Sequence, residues 1–148
     1  MPLPPLTYEL AETRDGPAIT ALLRAVDLPT EDLTTQSWRH FIVARADARV
    51  IGAAGLEPTG EVALLRSFVV TPDLRGAGIG QHLLTETRQL ARQPGVQELW
   101  LLTTTAETFF ARAGFTRVPR ETAPPAIQAS REYCALCPAS AAVMTAQP

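Results

Sequence analysis

The feature that most constrains this chain is a glycine cluster, Arg75-Gly76-Ala77-Gly78-Ile79-Gly80, set between two apolar-rich segments of different character. Before it, residues 62–70 read as one long apolar strand, most simply a strand buried on both faces. After it, residues 78–92 read as a helix, which Pro94-Gly95 stops. A junction of this kind presents unpaired backbone N–H groups and the positive end of a helix dipole. Glycines let main chain approach an anion closely, so a pyrophosphate is the natural guest. A dinucleotide fold would require Gly-x-Gly-x-x-Gly, with an acidic residue about 20 positions on and a parallel strand in front. Here the spacing is Gly-x-Gly-x-Gly and the preceding strand belongs to a run of hairpins. The dinucleotide reading fails.

The rest of the chain supplies the frame for that junction. Residues 7–12 read as a first strand, and Asp15 as the cap of a helix through Ile19, Leu22, Leu23 and Val26. Residues 27–39 are polar and Thr-rich, a loop or a weak helix ending near Trp38. Residues 41–44 and 50–56 are strands joined by a turn, and Glu57-Pro58-Thr59-Gly60 turns again into the long strand. Beyond the glycines come a strand at Glu98–Thr103, a short helix over 106–113 closed by Gly114, a strand at 115–118, and a last strand within 140–145. The order predicts an α/β fold: one domain over residues 1–148, with a mixed, mostly antiparallel central sheet and helices on both faces.

Composition narrows the function. At 148 residues, 46% of them apolar and 19% charged, the chain has a core and too little charge for disorder. A net charge of −2 leaves no dense basic patch, so nucleic acid is not an expected partner. No apolar run is long enough to span a membrane, and the start, Met1-Pro2-Leu3-Pro4-Pro5, lacks a signal layout; the cytoplasm is the expected location. All 13 basic residues are Arg. Lysine Schiff-base chemistry and a phosphate-loop lysine are therefore both excluded.

Arg75-x-x-Gly78-x-Gly80 resembles the acyl-coenzyme A signature of the GNAT superfamily of N-acetyltransferases. The resemblance continues through Phe68-Val69-Val70-Thr71-Pro72 upstream and Phe109-Phe110-x-x-x-Gly114-Phe115 downstream. More narrowly, Leu64-Leu65-Arg66-Ser67, Leu101-Leu102-Thr103-Thr104-Thr105-Ala106-Glu107 and Cys137-Pro138-Ala139-Ser140-Ala141 are similar to the acetyltransferases of bacterial arsenic-resistance operons. The resemblance implies a GNAT-type domain with acetyl-coenzyme A as co-substrate. The backbone of Phe68, Val69 and Val70 would hold the pantetheine arm. The segment Arg75, Gly76, Ala77, Gly78, Ile79, Gly80 and Gln81 would hold the pyrophosphate. A main-chain N–H near Phe68 would polarise the acetyl carbonyl.

Acetyl transfer to an amine needs a base for the amine and an acid for the leaving thiolate. In many GNAT members a Tyr supplies the acid four residues before the Gly of the last helix; here that position is Phe110, which has no proton to give. Tyr133 is the other tyrosine beyond residue 8, and nothing in the sequence places it near a thioester. Glu57 is a candidate for the base. Glu61 lies about 23 Å from Phe68 along an extended strand of ~3.3 Å per residue. A water relay along Thr103, Thr104 and Thr105 serves equally, and no catalytic residue is assigned. Arg66 shares a face with Phe68 by period-two alternation. There it would clamp a carboxylate, phosphinate or arsinate in two-point fashion, or form a structural ion pair with an acidic neighbour.

Cys134 and Cys137 read as buried, inert thiols. With only His40 and His82 as histidines, no metal site is expected. The expected activity is acetyl transfer to the amine of a small amino-acid-like molecule, in which an arsenic- or phosphorus-containing amino acid fits a resistance role. Two alternatives stay open: a non-catalytic acyl-coenzyme A-binding regulatory module, and an acetyltransferase of protein N-termini. A homodimer is compatible with all three.

Overall fold

The computed structural model describes residues 5–131, 133 and 137–148. Seven strands form one sheet in the order β1-β2-β3-β4-β5-β7-β6. They are β1 (Leu6–Leu10), β2 (Phe41–Ala46), β3 (Arg49–Thr59), β4 (Val62–Val70), β5 (Glu98–Thr103), β6 (Thr116–Val118) and β7 (Ala142–Ala146). Among the described residues the α-helices are α1 (Gly16–Ala25), α2 (Ile79–Arg92), α3 (Glu107–Arg112) and α4 (Pro125–Gln128). The sheet is mostly antiparallel; β4 and β5 run parallel, with Val62 beside Glu98 and Leu64 beside Trp100.

Contacts group into two compact units, one of residues up to Leu56 with Ser67–Leu90, the other of Glu57–Arg66 with Ala91–Pro148. In the first, α1 lays Ile19 and Leu23 on Val43, Ala53 and Val69. Ile79 of α2 belongs to a separate cluster with Ala44 and Ile51, against which Val70 packs. The first turn of α1 comes so close to Trp38 that a side chain on Gly16 would meet the indole at 2.9 Å. Asp15 does not cap α1 with its side chain. Its carboxylate accepts the N–H of Glu12 at 2.8 Å and pairs with Arg45 of β2 at 2.7 Å. Arginine is the stronger partner for a buried carboxylate than a helix amide, and Asp15 is 5% exposed.

In the second unit, Leu64, Trp100 and Val143 line a core that Ala123 and, from α4, Ile127 complete. Phe110 of α3 is buried edge-on between Phe109 and Phe115, with ring centroids 5.1 and 5.5 Å away. The expected turn at residues 57–60 proves to begin later: β3 continues through Thr59, and Gly60 turns with φ +63°. Glu57 therefore stands on a strand.

Candidate active site

Three left-handed residues shape the strand–turn–helix segment. Ser67 has φ +56°, Gly76 +89° and Gly78 +80°. At the two glycines a Cβ would meet no heavy atom within 4 Å, so the turn lies open to its surroundings. The first intrahelical bond of α2 is donated by His82 N–H to the Gly78 carbonyl at 3.2 Å. The N–H groups of Ile79, Gly80 and Gln81 thus precede that bond and face out of the helix end. Gly76, Ala77, Gly78 and Gln81 are exposed, whereas Ile79 is anchored in the core. Such an arrangement can hold a phosphate group on main-chain amides alone, which fits the pyrophosphate of a coenzyme.

The approach to this turn is pinned from below. Thr71 donates its N–H to the Ile51 carbonyl at 2.8 Å and its hydroxyl to Asp73 at 2.7 Å. Arg49 reaches the same carboxylate at 3.4 Å. The Thr71 hydroxyl first, then Arg49, holds the Asp73 carboxyl below its ordinary range. Arg75 folds back to donate Nε–H to the Val70 carbonyl at 3.3 Å. Val69 is buried among the α1-side core, and Phe68 and Val70 are half-buried. His82, four residues into the helix, stacks on Tyr8 at 3.9 Å and lies 3.4 Å from Glu86. Burial and the nearby Glu86 push the Tyr8 phenol up.

In the second unit Arg66 and Glu57 are brought together. Arg66 Nη1 donates to Glu57 Oε1 at 2.6 Å, with the arginine side chain 2% exposed and the glutamate 38%. A buried guanidinium thus has a half-buried carboxylate that fixes its orientation. Between Arg66 and Phe68, Ser67 takes a left-handed φ of +56°, so the strand departs there from the regular alternation on which their expected sharing of a face rests. Serine gives no sequence signal for such a conformation; glycine, asparagine or aspartate would have.

The other candidates are engaged elsewhere. Thr103 Oγ1 accepts the N–H of Ala106 at 2.9 Å and so holds the start of α3. Tyr133 donates its hydroxyl to the Arg120 carbonyl, and the Arg120 guanidinium lies over its ring. Cys137 is half-buried; Cys134 lies outside the described residues. Among the described residues no three His, Cys, Asp or Glu side chains converge as a metal cluster.

A glycine turn with left-handed φ angles, feeding a helix end from a strand of a mixed sheet, defines a class of α/β domain with a main-chain anion cradle. Residues 37–117 match the acetyltransferase (GNAT) domain family, and the chain belongs to that family. An amino-acid acetyltransferase of Mycobacterium tuberculosis is 32% identical over 117 residues, 73% of this chain and 67% of the relative. One from Vibrio cholerae is 31% identical over 100 residues, 66% of this chain and 22% of that protein. The chain thus spans about a fifth of the length of that longer relative. Among solved structures, N-acetylglutamate synthase of Neisseria gonorrhoeae, complexed with coenzyme A and N-acetyl-glutamate, superposes with TM-score 0.84. Identity is 19%, over 96% of this chain and 35% of that one. A Mycobacterium tuberculosis protein in complex with coenzyme A gives TM-score 0.81 at 24% identity, over 96% and 99% of the two chains. At such identities the likeness establishes the fold.

Proposed function

We propose that the chain is an acetyl-coenzyme A-dependent N-acetyltransferase, one domain over residues 1–148, acting in the cytoplasm on the primary amine of a small amino-acid-like molecule. The observation that carries this reading is the open turn at Gly76 and Gly78, followed by a helix whose first three amides are unbonded within the helix. Relatives named amino-acid acetyltransferases support the class of acceptor.

When bound, the coenzyme supplies an activated acetyl thioester. The N–H groups of Gly76, Ala77, Gly78, Ile79, Gly80 and Gln81 neutralise its pyrophosphate, with Arg75 beside them. The main chain of Phe68, Val69 and Val70 aligns the pantetheine arm, and an N–H near Phe68 stabilises the developing oxyanion. Phe110 offers no proton, so the thiolate departs on its own modest basicity. Arg66 binds an anionic group of the acceptor, and Glu57 is a positioning residue that holds the guanidinium fork. A carboxylate, phosphinate or arsinate presents the planar or near-planar pair of oxygens that such a fork matches. An arsenic- or phosphorus-containing amino acid is accordingly the proposed special acceptor.

The test is coenzyme A thiol release across a panel of amino acids, arsenic- and phosphorus-containing analogues, and uncharged amines. Turnover on anionic amines, above that on uncharged ones, is the expected result. The buried hydrocarbon ring at Phe110 favours one rival, a non-catalytic acyl-coenzyme A-binding module. Tight coenzyme binding with no turnover on any amine would establish that rival.

A further inference from the structure

We infer that the Tyr8–His82 aromatic stack beside the glycine turn is the platform on which the adenine base of the coenzyme lies. The inference rests on the proposed coenzyme cradle and extends it from the pyrophosphate to the base. The two rings are nearly parallel, 14° apart, with centroids 3.9 Å from each other. Tyr8 is half-buried and packs against the cluster of Ala44, Ala46, Ile51 and Ile79, so the inner ring of the pair is anchored in the core. Glu86 stands 3.4 Å from the imidazole Nε2. With one face against Tyr8 and one edge toward Glu86, a His82 side chain that is still 55% exposed has its other face open.

Position and chemistry both select the base. His82 donates its N–H to the Gly78 carbonyl at 3.2 Å, which roots it one helical turn, about 5.4 Å, beyond the cradle. Helical side chains lean toward the N-terminus, and this tilts the imidazole back toward the turn. In coenzyme A a single ribose separates the pyrophosphate from adenine, a span of the same order as that turn. A phosphate placed here would meet the Glu86 carboxylate as a like charge, whereas the neutral base carries no such penalty. A flat base needs only a ring face, and histidine is among the side chains that supply one. Because Tyr8 already fixes the imidazole plane, the ring loses little freedom when a base covers it.

Calorimetry with coenzyme A, and displacement of coenzyme A by ADP and by inorganic pyrophosphate, separate the base from the cradle. His82→Ala should weaken coenzyme A and ADP alike, by about fivefold or more, and leave pyrophosphate unchanged. His82→Phe restores a ring face without the polar edge and should recover most of the affinity. The side chain is exposed, so both variants should fold, and melting temperature checks that they do. Wild-type coenzyme A affinity in His82→Ala, a loss that pyrophosphate shares, or a His82→Phe protein as weak as His82→Ala would each overturn the platform and leave the cradle standing. Coenzyme A that fails to bind the unaltered protein would instead overturn cradle and platform together.

Discussion

Arg66 is the residue on which the proposed dependence on substrate charge turns, and kinetics measured beside stability separate its two roles. Its partner Glu57 is 38% exposed, so water can take over much of the carboxylate's solvation if the arginine is lost. The stability cost of Arg66→Ala should therefore fall between the ~1 kcal/mol of an exposed pair and the ~3 kcal/mol or more of a fully buried one. Hydrogen bonds from a charged donor contribute about 1.5–3 kcal/mol each, so KM for anionic amines should rise about tenfold or more. Coenzyme affinity should stay within about twofold, and Arg66→Lys should recover only part of the loss because an ammonium lacks the planar fork. Melting temperature measured beside kinetics on anionic and uncharged amines checks this; lost stability with an unchanged anionic preference would reduce Arg66 to a structural residue. Glu57→Gln gives a second reading. Glutamine keeps an oxygen for Arg66, so kcat and its pH profile should hold while KM rises modestly. A general base, by contrast, would lose about 10²–10⁴-fold in kcat. That Arg66 would find an acidic partner was legible in the sequence, because it is the one basic side chain in an apolar strand. Which residue that partner is was not, because Pro58 and Gly60 suggested a turn that starts only after Thr59. Nor was the left-handed Ser67, for which no residue type signalled.

At the scale of elements, the proposed coenzyme site rests on the backbone conformation of the β4–turn–α2 junction. Gly78 and Gly60 are matched positions: both have positive φ, and neither has a heavy atom within 4 Å of a would-be Cβ. An L-residue forced into that region costs roughly 1–2 kcal/mol. Gly60→Ala and Gly78→Ala should thus lower stability by similar amounts. Only Gly78→Ala should weaken coenzyme A, by about tenfold or more, since the cradle requires main-chain approach without an intervening methyl. Gly78→Val, with a branched side chain poorly suited to positive φ, should abolish binding while the fold persists. Denaturant titration and calorimetry on the same samples decide; coenzyme affinity equal to wild type in Gly78→Val would remove the cradle. The elements beside this junction were the most legible. β4 and β5 have the expected bounds because long apolar runs between turn signals leave little choice. α4 was missed because its prolines read as loop, although Pro125 at the first helical position replaces an amide that would have no acceptor.

At the scale of the whole molecule, acid should act on one unit before it acts on the other. Asp15 and Asp73 both belong to the unit of residues up to Leu56 with Ser67–Leu90. The hydrogen bond from Arg45 is the main cause that holds the Asp15 carboxyl below its ordinary value, and burial opposes it. The same pair raises Arg45, which stays charged throughout. A carboxyl depressed in the folded state takes up its proton more readily in the unfolded chain. Its stabilisation is therefore complete above the unfolded value of about 4, and is lost as pH falls through the lower folded value. Stability should be flat from neutral pH down to about pH 4 as far as these groups are concerned, then fall. Hydrogen exchange followed through that fall should lose protection first in β2 and α1, which the Asp15–Arg45 pair ties together at 2.7 Å, and in β1, whose Glu9 also pairs with Arg45. Asp15→Asn should lower stability at neutral pH by about 1–3 kcal/mol, since Arg45 keeps Glu9 as a second partner. The variant should also lose part of the acid slope, because one of the titrating carboxyls is gone. An Asp15→Asn protein with the wild-type slope below pH 4 would show that the acid response arises from other carboxylates, and that the buried pair contributes geometry without linkage.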